Sequence, residues 1–299
     1  MPERKTIITV IGEALVDEFP DSRRVGGAPL NFAVHLHHLG CTVRFVTRLG
    51  DDEAGRLVLE TLSRHEMDLS RVQIDAHRPT GTVRVQLSED GTPTYNIRTE
   101  VAYDSIAPPR GIEDSRLIYY GTLAQRTAGG FDRIQRTLQG LPDTVVRFMD
   151  INLRPGGYRR HTVDTLLHQT NLLKLSQEEL ETIGTMLFPQ SSIRDLPQTL
   201  IAKWNIDEVL LTAGAEGAAW ITRQGIVHRV AAAPVPRLVD TVGAGDAFAA
   251  AWVTGWVKGV PSRRRLTAAA AFAAHICGLP GALPTDFGCY DDVLEMLGD

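Results

Sequence analysis

Short β-branched runs alternate along the chain with longer stretches of helical periodicity. Residues 6–11, 43–48, 117–120, 145–149, 172–175 and 209–212 read as strands, and residues 31–39 and 55–65 as helices between them. Gly40 suits the C-terminal cap of the first helix. Alternation at this spacing builds βαβ units and hence an α/β fold whose parallel sheet is covered on both faces. Residues 82–87 and 94–98 break the pattern. They are short alternating runs either side of Asp90-Gly91, a hairpin signal with a loop longer than two residues. Val83, Val85 and Leu87 share one face, and Arg84 and Gln86 the other. A lone hairpin is marginal in water, so this one is expected to pack on substrate, on a partner subunit, or on both. The sequence has no internal repeat, low-complexity stretch or obvious interdomain linker.

Composition narrows the function classes. The chain has 299 residues, 43% apolar and 22% charged, within the globular norm and long enough for a sizeable core. Its formal charge of −5 lacks the broad positive field of a nucleic-acid binder. Cys41, Cys277 and Cys289 form no C-x-x-C pair, which argues for a reducing compartment over a disulfide scaffold. Residues 1–10 read as a first strand and not a signal peptide. The apolar stretch 247–257 is too short to span a bilayer. A soluble cytoplasmic protein that binds neither nucleic acid nor membrane is expected. His35, His37 and His38 read as structural residues of an amphipathic helix, and Arg263-Arg264-Arg265 as a solvated helix start.

Candidate chemistry concentrates in Asp240-Thr241-Val242-Gly243-Ala244-Gly245-Asp246, which leads into an apolar helix. Glycines there let the backbone turn tightly and aim several N–H groups at one point, which is also the positive end of the helix dipole. Such a turn holds an anion or stabilises a developing one. Locally, Asp246 reads equally as an N-terminal cap or as a general base beside a phosphate. G-x-G-x-x-G fails at Phe248, and G-K-[ST], H-E-x-x-H and G-x-S-x-G do not occur. A second signal is Gly26-Gly27-Ala28-Pro29-Leu30-Asn31, where glycines allow close approach to a ligand and Asn31 offers both donor and acceptor. Gly12-Glu13 and Asp17 follow the first strand, at the carboxyl edge where parallel sheets bind ligands.

Gly26-Gly27…Asn31…Gly40…Gly50 together with Asp240-Thr241-x-Gly243-Ala244-Gly245-Asp246 resembles the paired signatures of the PfkB carbohydrate kinases, the ribokinase-like superfamily. Asp150-x-Asn152-x-Arg154, Lys174-Leu175-Ser176-x-x-Glu179 and Thr212-Ala213-Gly214-x-x-Gly217 resemble further family segments in the same order. Residues 101–104 and 121–126 are most similar to the bacterial fructokinase-like branch. The resemblance implies a ribokinase-like three-layer sandwich with a mostly parallel central sheet and a small β lid. It implies one domain over 1–299, the lid formed by segments at about 14–27 and 80–103. It implies ATP-dependent phosphorylation of a sugar hydroxyl, fructose first, with ribose, a nucleoside or 2-keto-3-deoxygluconate as alternatives. A non-catalytic binder of the same fold is the other reading. Asp246 would be the base and Gly243, Ala244 and Gly245 the anion hole. Asp17, Gly27, Asn31, Arg98 and Arg154 would contact the sugar or the transferred phosphoryl group. Lys174, Ser176, Glu179, Thr212, Gly214, Gly217 and Gly281 would serve the nucleotide. Glu179 would organise Mg²⁺ through water, with Ser176 where the family has asparagine, and Asp240 and Val242 would flank a K⁺ site. A homodimer is expected.

Overall fold

The computed structural model describes residues 6–87 and 93–298, without the side chains of 85–87 and 93–95. The Asp90-Gly91 turn lies outside the described residues. In chain order the strands are β1 (Ile7–Ile11), β2 (Leu15–Glu18), β3 (Arg23–Gly26), β4 (Thr42–Gly50), β5 (Val72–Asp75), β6 (Gly81–Leu87), β7 (Pro93–Ile97), β8 (Leu117–Tyr120), β9 (Val146–Asp150), β10 (Leu172–Ser176), β11 (Glu208–Thr212), β12 (Ala218–Thr222) and β13 (Val227–Val230). The helices are α1 (Ala28–His38), α2 (Glu53–Arg64), α3 (Ala128–Gln139), α4 (Arg160–Leu167), α5 (Gln177–Leu187), α6 (Leu196–Trp204), α7 (Ala244–Val257), α8 (Ser262–Cys277) and α9 (Gly288–Leu297).

Strands β1, β8, β9 and β10 are apolar on both faces, and side chains alternate between two cores. Ile8, Val10, Tyr119 and Phe148 enter one core with α1, α7 and α8. Ile11, Ile118, Tyr120 and Met149 enter the other, with α3 to α6. That double burial demands helices on both sides. The main sheet runs β13-β12-β11-β10-β9-β8-β1-β4-β5. Its pairs are parallel from β5 to β11, while β12 and β13 join antiparallel. The three-layer expectation with a mostly parallel sheet is met.

The hairpin expectation is corrected. Strands β6 and β7 do not stand alone, because β2 pairs parallel with β6 and antiparallel with β3, giving a second sheet in the order β3-β2-β6-β7. Four strands bury what two cannot. Val83 is buried in the core with Leu15 and Tyr103, and Arg84 is exposed. The basic run is corrected too. Arg265 is only 8% exposed, with its guanidinium 4.2 Å from the Trp252 ring centroid. It is a packed cation–π residue, whereas Arg263 and Arg264 are solvated. The histidines are structural: His35 Nδ1 lies 2.9 Å from the Tyr290 hydroxyl, and His38 Nε2 lies 2.9 Å from His65 Nδ1.

Helix α7 is apolar all round, with Ala247 to Val253 buried, so it occupies the interior between α1 and α8. Phe32 of α1 stacks on Tyr119 at 4.2 Å and meets Phe148 edge-on at 5.8 Å. This ring cluster ties α1 to the sheet directly beneath Asn31. Phe32→Ala should therefore lower unfolding free energy by about 3–5 kcal/mol, measured by urea titration. A loss under about 1 kcal/mol would show that the cluster does not fix α1.

Candidate active site

Chain order runs outward from β1 to β4 and β5 on one side and from β8 to β11 on the other, so the switch point lies between β1 and β8. The parallel strands deliver Glu13, Asp150, Ser176 and Thr212 to one carboxyl edge. Ligands bind there in open α/β sheets. The N-termini of α1 and α7 point into the same edge. Gly27 caps α1 at φ 112, with Pro29 in its first turn, and a Cβ at Gly27 would lie 2.8 Å from the Glu13 carbonyl. Gly243 caps α7 at φ 80 with no side-chain cap, and a Cβ there would lie 2.3 Å from Ala282 Cβ. Both positions require glycine.

Asp246 sits in the first turn of α7 and is buried. Asn31 Nδ2 donates to its Oδ2 at 2.8 Å, joining α1 and α7. Burial, then the charge of Asp150, raise its pKa to about 7, against the pull of Asn31, Lys174 and Arg154. The two local readings are thereby separated. A capping carboxylate would accept from its own helix, whereas the hydrogen bond that Asp246 accepts comes from another helix.

Beneath it, Asp150 and Lys174 face each other across β9 and β10. Lys174 Nζ donates to both Asp150 oxygens at 2.9 and 2.8 Å. Burial would lower the Lys174 pKa, but Asp150, Glu179 and Asp246 outweigh it and hold the ammonium above its usual range. Its Nζ is 3.3 Å from where a Cβ of Gly245 would stand, so this cation lies against the glycine turn. Asp150 is a charge at the end of an apolar strand, and that contrast was its visible signal.

Ser176 and Glu179 form a capping box on α5. Ser176 Oγ accepts from Glu179 N at 3.1 Å, and Glu179 Oε2 accepts from Ser176 N at 2.7 Å. Glu179 Oε1 accepts from Leu153 N at 2.8 Å. The serine that departs from the family asparagine thus has a structural task, and both Glu179 oxygens already hold amides. Among the described residues no three His, Cys, Asp or Glu side chains group to hold a metal. A magnesium ion here would rest chiefly on phosphate oxygens, as Mg²⁺ commonly does.

On the lid, Asp17 lies in β2, not in a loop, and its carboxyl is 2.9 Å from where a Cβ of Gly26 would stand. Burial raises its pKa to about 6, against Arg154 and Arg24. Arg154 is exposed, and its charge reaches Glu13, Asp17 and Asp246. Arg98 is not brought to these acids. It is exposed, and its charge acts on Asp52 at the start of α2.

Gly214 at φ 53 and Gly217 at φ 98 follow Thr212 in a short turn at the end of β11. Asp240 accepts from Val242 N at 3.0 Å and Gly281 N at 3.2 Å, and Arg24 of the lid lies 3.5 Å from it. A cation already stands against the carboxylate assigned to K⁺. Leu238, Val239 and Val242 are exposed apolar side chains beside this loop. An apolar shelf, a glycine-rich turn and a helix start that no side chain caps fit a nucleotide's base and phosphates.

Residues 12–286 match the pfkB family of carbohydrate kinases. Fructokinase from Klebsiella pneumoniae is 31% identical over 301 residues, covering 91% of each chain. Aminoimidazole riboside kinase from Salmonella typhimurium is 28% identical over 263 residues, covering 81% of this chain and 77% of that one. The crystal structure of fructokinase with bound ATP from Xylella fastidiosa superposes with a TM-score of 0.85 over 98% of each chain at 22% identity, a likeness of fold.

The electrostatics of Asp246 are testable by stability alone. Between its ordinary pKa near 4 and about 7 the folded protein keeps a proton that the unfolded chain has released. Its contribution to stability is therefore complete at low pH and lost as pH rises through 7. Asp246→Asn never acquires the charge. It should exceed the native protein in stability by about 2 kcal/mol or more at pH 8, with the gap clearly smaller at pH 5 and closing only near pH 4, the ordinary pKa of the group. Parallel urea titrations at both pH values check this; a variant less stable at pH 8 refutes it.

Proposed function

The chain belongs to the pfkB family of carbohydrate kinases and is an ATP-dependent sugar kinase, and on that footing we propose that it phosphorylates a neutral sugar, fructose first, with Asp246 as the general base. The observation that carries this reading is the buried Asp246 at the open start of α7, poised near neutrality and oriented from another helix.

Asn31 holds Asp246 Oδ2, which leaves Oδ1 to accept the proton of the attacking sugar hydroxyl. ATP, when bound, supplies the γ-phosphoryl group with its Mg²⁺. The amides at Gly243, Ala244 and Gly245 meet charge on that group at the positive end of α7, and Lys174 adds a buried cation behind the turn. Arg154 is placed for a sugar or phosphoryl oxygen, since its fork suits such groups. Asp17 and Asn31 orient the sugar beneath β2 and α1. Gly27 keeps the approach open. Thr212, Gly214, Gly217 and Gly281 line the nucleotide side. A K⁺ ion at the Asp240 and Val242 loop would share its carboxylate with Arg24, so exchanging K⁺ for Na⁺ should change turnover little. The second sheet forms the lid and excludes water, because hydrolysis of ATP is the competing reaction. A reducing cytoplasm suits the three cysteines, which are free. A homodimer through the lid completes the reading.

Charge supports a neutral substrate. Asp17 and Glu13 are acids beside the sugar position, and Arg154 and Arg24 already answer them. Arg84 is exposed on the lid and Arg98 acts on Asp52, so neither joins a counter-cluster for a carboxylate or phosphate. The similarity to a riboside kinase keeps a ribosyl substrate as the alternative.

Two experiments check this. A coupled ADP-release screen over fructose, ribose, adenosine and 2-keto-3-deoxygluconate should give the highest kcat/KM for fructose. A preference of about tenfold for the sugar acid would overturn the neutral-sugar reading, and ADP release independent of any sugar would overturn the kinase assignment. Separately, Asp246→Asn should lower kcat by roughly 10²–10⁴-fold with ATP binding retained. In the native enzyme kcat/KM should fall about tenfold per pH unit below pH 7 as the base takes its proton. Activity level down to pH 5 would remove Asp246 from that role.

A further inference from the structure

Three polar atoms beside the cleft are buried without a hydrogen-bond partner among the described residues: Glu13 Oε2, Asn31 Oδ1 and Tyr103 Oη. Their residues are 3%, 3% and 1% exposed. Native proteins leave few such atoms, because each loses water and gains nothing. Asn31 is already tied to Asp246 through its other amide atom, so its free oxygen lies within one side chain of the proposed base.

Glu13 follows β1, the strand at the switch point of the sheet. Its carboxyl feels Arg154, Asp246 and Asp150, and it in turn acts on Tyr103 and Arg126. It therefore stands between the base and Tyr103. Arg154 answers it only in part, since burial still raises its pKa to about 7. Arg126, the cation beyond Tyr103, is bound to Asp104 at 2.8 and 2.9 Å with its guanidinium 4.9 Å over the Tyr103 ring. The Tyr103 ring in turn packs on the first residue of β6, since a Cβ at Gly81 would lie 2.3 Å from its Cε1. Tyr103 is thus locked by a salt-bridged arginine and the lid, with only its hydroxyl left unused.

We propose that Glu13 and Tyr103 are sugar-binding residues that, with Asn31 Oδ1, take hydroxyl groups other than the one phosphorylated and so select the sugar's stereochemistry. The inference rests on the neutral-sugar reading above and deepens it. The chemistry recognised is a polyol ring with at least two hydroxyls beyond the acceptor. Tyr103 donates, Asn31 Oδ1 accepts, and the Glu13 carboxyl, raised to about 7 mainly by burial, can do either. An anionic group at this point would face an acid whose cation, Arg154, also serves Asp17 and Asp246.

The test is a double-mutant cycle with deoxy sugars. Glu13→Gln and Tyr103→Phe, both conservative in volume, are assayed on the best substrate of the screen and on its singly deoxygenated analogues. Each variant should raise the sugar KM by roughly tenfold or more while the ATP KM stays within about twofold. The native enzyme should show a matching penalty for one particular deoxy analogue, and on that analogue the corresponding variant should add no further loss. Penalties that simply multiply across every analogue overturn the assignment. So does an unchanged sugar KM with a lowered melting temperature, which would mean that Glu13 and Tyr103 serve only the fold. A sugar acid winning the initial screen overturns the neutral-sugar reading, and the deoxy series of that winner still decides the roles of Glu13 and Tyr103.

Discussion

A carboxylate removed from water and held with its pKa near neutrality sets the terms for this molecule. Asp246 sits in the first turn of α7, whose start no side chain caps, and burial raises its pKa to about 7. Burial alone would push it further, into a group too basic to be ionised at work. Asn31, Lys174 and Arg154 hold it back, and they come from α1, β10 and the segment after β9. The parallel sheet is the device that lets elements so distant in sequence meet at one edge. The Asp150–Lys174 pair belongs to the same arrangement. It keeps a buried cation against the glycine turn while its own acid raises Asp246, so the two effects partly cancel.

The second sheet follows from the same constraint. In the proposed mechanism the base works in a dry site and needs a cover, and a cover made from one hairpin would not hold its shape. Strands β2 and β3 leave the switch point immediately after Glu13 and pair with β6, so the cover is anchored at the site it closes. Arg24 carries the link further. It pairs across the strands with Asp17 and reaches Asp240 in the loop before α7. That pair is half-exposed and contributes little stability by itself. Its value is positional, since it gives the lid a contact with the loop that leads into α7.

The two glycine turns were legible because their chemistry is local: a backbone that must pass close to something leaves glycines in the sequence, and Gly27 and Gly243 show why. The central strands were legible because both their faces are buried, as with β8 and β10. Strands β2 and β3 were expected only through the resemblance, as a lid segment at about 14–27; local pattern does not show them because LVDE and RRVG are short and polar on one face, and only pairing with each other and with β6 makes them strands. The Lys174–Asp150 pair depends on the register between two strands, which no single segment carries. Ser176-x-x-Glu179 carries a second signal beside the one its resemblance suggests. Serine and glutamate three apart before an apolar run form a helix-capping signature, and here both side chains satisfy the backbone of α5. Arg265 was not legible: a run of three arginines looks uniform in sequence, but helical geometry turns one of them inward onto Trp252.

Several features that oppose stability lie close together. Glu13 and Asp246 are raised acids, Glu13, Asn31 and Tyr103 carry unpartnered buried atoms, and Gly27 and Gly243 hold left-handed backbone; all border the carboxyl edge of the sheet or the lid above it. Away from that edge the local rules agree with the fold. The Phe32, Tyr119 and Phe148 rings interlock, α7 is sealed in alanine, valine and tryptophan, and the helices on both faces cover apolar strands. Raised acids and unpartnered atoms beside the candidate site, set on a well-packed frame, fit a protein whose core stability offsets a strained region. A core of this size can carry several such conflicts, but only while Asn31 keeps α1 and α7 in register, because that single bond connects the ring cluster under α1 to the carboxylate at the start of α7.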